Sequence, residues 1–96
     1  MIAITVGRLD DFMMLLRKCV NNEIYYTLFE EEGKVIAIGL AFIGKIDGGP
    51  GLYQIKIPVE MTRSEAVKEI RLIAKHNDLT AIEGNIKEVV MSVPSA

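Results

Sequence analysis

Cys19 carries the one thiol of this 96-residue chain and His76 the one imidazole. To work as nucleophile and base they would need to touch, with the sulfur exposed. Their spacing argues otherwise. Cys19 falls on the apolar face of a helical pattern with Leu9, Phe12, Leu16 and Val20. His76 falls in the last turn of a second helical pattern, on its outward side, where a cation complements the helix dipole. A buried, inert thiol and a helix-end histidine are expected. One cysteine and one histidine also fall short of a zinc ligand set.

Three other patterns invite chemistry and are read as structure. Gly39 to Lys45 counts out as G-x-x-x-x-G-K, but its middle residues are apolar and strand-forming, and Ile46 stands where a magnesium-binding hydroxyl belongs. A strand with glycines at close contacts is expected there. Gly48-Gly49-Pro50-Gly51 has the glycines for a nest of amides around an anion. It joins two strands with no helix behind it, so it reads as a hairpin turn. Glu30, Glu31 and Glu32 are adjacent, so in a strand and turn they diverge and read as a solvated hairpin end rather than a metal site.

Two surfaces are candidates for binding. Lys68, Arg71 and Lys75 share one side of the second helix, with Glu65 and Glu69 beside them. Leu72 lies between the two charge stripes, an apolar centre with a charged rim. Lys68, Arg71, Leu72 and Lys75 are therefore the expected interaction residues, for a protein partner or for phosphates. Tyr25, Thr27 and Phe29 share one face of a strand. If that face is open, the aromatics suit stacking on bases; if closed, they belong in a core or a dimer seam.

The elements that must position these groups follow from periodicity. Residues 2–6 alternate and read as a strand, ended by Gly7. Residues 9–20 are helical, with Asp10 and Asp11 in the first turn and Arg17 and Lys18 near the last. Residues 23–31 and 34–46 read as strands about a Glu32-Gly33 turn. A turn over 47–51 leads to a strand over 52–59. Thr62 and Glu65 have capping-box spacing and open a helix over 63–76, closed by Asn77-Asp78 with Asn77 as the left-handed residue. Residues 79–85 have no clear period. Residues 86–93 read as a last strand, stopped by Pro94.

The resulting order, β-α-β-β-β-α-β, predicts a single two-layer α+β domain over 1–96: a largely antiparallel five-stranded sheet with two helices on one face. It resembles a ferredoxin-like βαββαβ plan with one extra strand in the middle, as an architecture and not through any family signature.

Half of the chain is apolar, a quarter is charged, and the formal net charge is −2. That excludes a disordered tail and gives no overall attraction for nucleic acid or anionic lipid. No signal peptide is expected at the N-terminus, and the longest apolar run, residues 35–44, is about half the ~20 residues of a membrane-spanning helix. A lone cysteine fits a reducing, cytosolic setting. Abundant isoleucine and a single glutamine, Gln54, point to a thermophilic source, against which stand five methionines.

The most informative segment is the 34–46 strand. Simple alternation sends Val35, Ala37, Ala41 and Ile43 to one face and Ile36, Ile38, Leu40 and Phe42 to the other. A strand apolar on both faces is covered on both. Two helices cover one, so a homodimer or larger assembly is expected to close the second, with Ile36, Ile38, Leu40 and Phe42 as the self-association set. No catalytic, cofactor-binding or metal-binding set is expected. The leading reading is a small non-catalytic binding or assembly module. The alternative is a nucleic-acid binder using the basic helix flank or the sheet aromatics, and an enzyme ranks last.

Overall fold

Two tight turns create a meander. Glu32 and Gly33 have φ of 50° and 78°, and Asp47 and Gly48 have 52° and 81°. Positive φ at both loop residues is the turn whose twist matches paired strands. The structure, a computed structural model, describes residues 2–19 and 22–84. Its elements are β1 (Ile2–Thr5), α1 (Leu9–Lys18), β2 (Glu23–Glu31), β3 (Lys34–Ile46), β4 (Gly49–Met61), α2 (Arg63–His76) and β5 (Thr80–Glu83). The second turn is shorter than the glycine-rich sequence suggests. Asp47-Gly48 completes it, and Gly49, Pro50 and Gly51 already pair with Ile46, Lys45 and Gly44.

The strand order is β1-β4-β3-β2-β5. The long ladders, β2 with β3 and β3 with β4, are antiparallel; the short outer ladders, β1 with β4 and β2 with β5, are parallel. The sheet is thus mixed. β3 alone runs against the other four strands. The chain crosses through α1 from β1 to β2 and through α2 from β4 to β5, each time stepping over two strands in the same direction. Crossovers of one hand between parallel strands put both helices on one face. The two-layer α+β plan therefore holds, with the first and last described strands at the edges. The last strand is Thr80–Glu83, in the stretch without a clear period. The strand expected over 86–93 lies outside the described residues.

α1 starts after Arg8 without a side-chain cap, while α2 starts as its sequence dictates. At α2 the Thr62 side chain accepts from the Glu65 amide at 3.2 Å, and Glu65 Oε1 accepts from the Thr62 amide at 3.3 Å. A cap of this kind contributes about 1 kcal/mol. At the far end Asp78, not Asn77, takes the left-handed conformation, with φ of 53°. Asn77 instead donates its side-chain amide to the Ile73 carbonyl at 2.8 Å.

Between the layers lies one core. Phe12 and Leu16 of α1, and Ala66 and Ile70 of α2, meet Ile24, Leu40, Phe42 and Ile55 of the sheet. Phe42 is fully buried. Its ring meets Phe12 edge-on with centroids 5.0 Å apart and stacks on Tyr53 at 5.1 Å.

Simple alternation fails at one end of β3. Phe29 pairs with Ala37 but Glu30 pairs with Val35, which leaves Ile36 as an extra residue in a bulge. Val35 therefore turns into the helix-side core with Ile38, Leu40 and Phe42, while Ile36 is pushed out to 43% exposure. Opposite this place β4 carries Pro58, which has no amide proton for the ladder.

Candidate functional site

Neither helix covers the second face of the sheet. Cross-strand register assembles it in rows: Tyr25 with Ala41 and Gln54, Thr27 with Gly39 and Lys56, Phe29 with Ala37 and Pro58. Large side chains on β2 and β4 flank small ones on β3. Ala37 and Ala41 are buried, and a Cβ on Gly39 would lie 3.1 Å from the Phe29 ring. The Lys56 ammonium stands 4.2 Å from the centroid of that ring, a cation–π contact that draws its stem over the sheet. At the other end Ala41 and Leu52 form a small buried cluster, with Tyr25 and Ile43 half-buried against it. So the apolar character of both β3 faces has two causes. The helices cover one face; the neighbours' own side chains cover the small residues on the other.

This placement changes which residues are available to a partner. Ile38, Leu40 and Phe42 are buried in the chain's own core beneath the helices. Of the expected self-association set, Ile36 alone remains exposed. The face left for a second copy carries Tyr25 and Phe29, both half-buried, whereas Leu52 is as buried as Leu40.

Tyr25 donates its hydroxyl to Glu23 Oε2 at 2.8 Å, at the rim of this face. That bond to a carboxylate, aided by partial burial, raises the Tyr25 pKa above its ordinary 10.0. The protonated phenol is thus favoured by the fold. Its stabilising effect is complete below pH 10.0 and is lost as pH rises through the raised folded value. In Glu23→Gln the ionisation of Tyr25, followed by ultraviolet absorbance, is expected to move back toward that ordinary value. An unchanged titration would mean the carboxylate does not hold the phenol.

The basic flank of α2 lies on the opposite layer. Lys68 and Arg71 line a shallow groove of about 520 Å³ with Arg63, Ser64 and Val67. Lys75 and Leu72 are exposed but lie outside that groove, so the expected four-residue site is divided. Arg63, which sequence reading passed over, sits at its edge. Its guanidinium bonds the Glu83 carboxylate and reaches Glu30 Oε2 at 3.4 Å, and these partners hold its pKa above the ordinary value. The flank is therefore a mixed field. The flank and the sheet aromatics face opposite ways, so one ligand strand cannot lie flat on both.

At one end of the two layers, a cleft of about 850 Å³ separates the last turn of α1 from the β3–β4 hairpin. Leu15, Ile43, Pro50 and Tyr53 give it apolar walls, and Lys18 and Lys45 also line it. Cys19 lines the cleft and is half-buried, against the expectation of a buried thiol. Gly44 permits this packing: a Cβ there would lie 2.9 Å from the Cys19 sulfur and 3.0 Å from the Tyr53 ring. His76 is exposed at the end of α2 and is not among the lining residues. Glu30, Glu31 and Glu32 are exposed at the β2–β3 hairpin end, with Glu30 turned to Arg63. Among the described residues no helix is long and apolar enough to cross a membrane. Comparison with protein-family models, with curated proteins and with solved structures finds no match for this chain.

Proposed function

We propose that this chain is a small non-catalytic assembly module that pairs with a second copy through its helix-free sheet face. The observation that carries the reading is the placement of the half-buried aromatics Tyr25 and Phe29 on the sheet face that neither α1 nor α2 covers. Strands about 4.8 Å apart rising about 3.3 Å per residue make that face about 20 by 30 Å, or about 600 Å². A stable interface takes about 800 Å² from each partner, and side-chain relief adds to a flat area. A twofold interface joins a patch to itself and so needs a surface short of strong charge. Within the rows from Tyr25 to Phe29, Lys56 is the one charged side chain, and the Phe29 ring already engages it. The lone thiol, Cys19, fits a reducing cytosolic setting for such a module.

Phe29→Glu tests this reading. The new carboxylate is within reach of Lys56, so the monomer keeps a partner for both charges. In a pair of copies it would put two carboxylates into an apolar seam, where desolvation is costly. The variant is expected to keep its circular dichroism spectrum and to weaken self-association about 100-fold or more, the effect of losing a central aromatic anchor. Equal association of the variant and the unaltered chain would refute the face as the seam. An unaltered chain that stays monomeric would also refute it.

Nucleic acid is the second reading, resting on Lys68 and Arg71 beside the α2 groove. Binding by that flank would fall steeply with salt. Pairing through the sheet would not, because each copy brings Lys56 and salt screens the like charges.

A further inference from the structure

We propose that the cleft between the last turn of α1 and the β3–β4 hairpin binds a small amphiphilic anion: one carboxylate, sulfonate or phosphate on an aromatic or acyl body. The cleft's volume, about 850 Å³, is in the range of small-molecule sites, and it is concave and built within one chain. Its walls provide two distinct chemistries. Leu15, Ile43, Pro50 and Tyr53 offer apolar surface for a ligand body. Lys18 and Lys45 line the cleft from separate elements, and no carboxylate lies among the described lining residues. Neither lysine forms an ion pair with another described residue. Asp47 stands at the hairpin tip between the lining residues Lys45 and Gly48, and the α1 C-terminus opposes the two lysines with about half an elementary unit. The Cys19 amide also caps that end by donating to the Leu16 carbonyl at 3.1 Å. Tyr53 is fixed as a wall, stacked on Phe42 with its hydroxyl donating to the Lys45 carbonyl at 3.1 Å.

The pattern sets the ligand class by exclusion. A purely apolar molecule would use the walls and neither of the exposed lysines. A bare inorganic anion would leave the apolar walls uncovered and could be held by lysines anywhere on the surface. A molecule with both parts uses the whole cleft.

Two fluorescent probes with the same ring system test the proposal. Anilinonaphthalene sulfonate carries the anion; phenylnaphthylamine lacks it. The full chain is expected to bind the sulfonate more tightly than the neutral probe. The pair Lys18→Ala with Lys45→Ala should weaken the sulfonate about tenfold, as two charge-assisted contacts are lost, and leave the neutral probe unchanged. Bound sulfonate should slow alkylation of Cys19 by a maleimide, which places it in this cleft and not on the sheet face. The Phe29→Glu variant should bind the sulfonate as the unaltered chain does, so failure of the pairing reading leaves this result standing. The proposal is overturned if the sulfonate does not bind, if the two probes bind alike, if the lysine substitutions change nothing in a chain whose melting temperature is kept, or if Cys19 reacts at the same rate with and without the sulfonate.

Discussion

Leu40→Asp is expected to unfold the single chain, not merely to separate copies. Leu40 is 1% exposed and sits opposite Tyr26 and Ile55 at the centre of the sheet, under both helices. Removing a buried leucine costs about 2–5 kcal/mol. Leaving a carboxylate there without a partner costs several kcal/mol more, about 3 or above. A domain of this length has about 5–15 kcal/mol in all. The variant should therefore lose its cooperative thermal transition at every protein concentration. A folded monomer would mean that Leu40 lies at an interface between copies and not in the core.

Phe42→Ala gives the second large effect by a different route. No charge is introduced; a cavity is. The Phe42 ring is held between Phe12 of α1 and Tyr53 of β4, so its loss removes the edge-on and the stacked contact together. Truncating a buried phenylalanine costs about 3–5 kcal/mol. Aromatic pairs add about 0.5–1.5 kcal/mol each beyond buried area. Denaturant unfolding should show a fall of about that sum with an unchanged m-value. A loss below about 1 kcal/mol would contradict a close-packed centre, because a fully buried ring cannot be removed so cheaply.

The local elements were legible because each has a local cause. Glu32-Gly33 and Asp47-Gly48 specify tight turns by needing positive φ, and Thr62 with Glu65 opens α2 where the spacing says it should. Other features depend on contacts distant in sequence. Thr80–Glu83 has no period of its own and becomes a strand because the edge of β2 is free to pair with it. Gly49-Pro50-Gly51 looks like loop, but pairs with Lys45 and Gly44 on one side and Ile2 on the other. The bulge that exchanges Ile36 for Val35 is hinted at by Pro58, which lies on the neighbouring strand opposite Ala37.

The candidate surfaces follow the same division. Tyr25 and Phe29 were readable as sharing a face, but not that this face is the one without helices, since that follows from strand order. Lys68 and Arg71 were readable as a pair, and Arg63, about two turns before Arg71 on the same helix, was readable with them; its partners Glu30 and Glu83 come from strands β2 and β5 and were not. The cleft was not readable at all. Lys18, Gly44, Lys45 and Tyr53 come from three elements, and no spacing in the chain links them.

The most direct test of the central claim is the solution mass of the unaltered chain by sedimentation equilibrium, across dilution and at low and high salt. Pairing through the helix-free face predicts a reversible shift between 10.7 kDa and twice that mass. It further predicts a shift toward the heavier species as salt rises, because the face carries Lys56 in both copies and its contacts are apolar. A mass of 10.7 kDa at every concentration, or an assembly that salt dissolves, would contradict it.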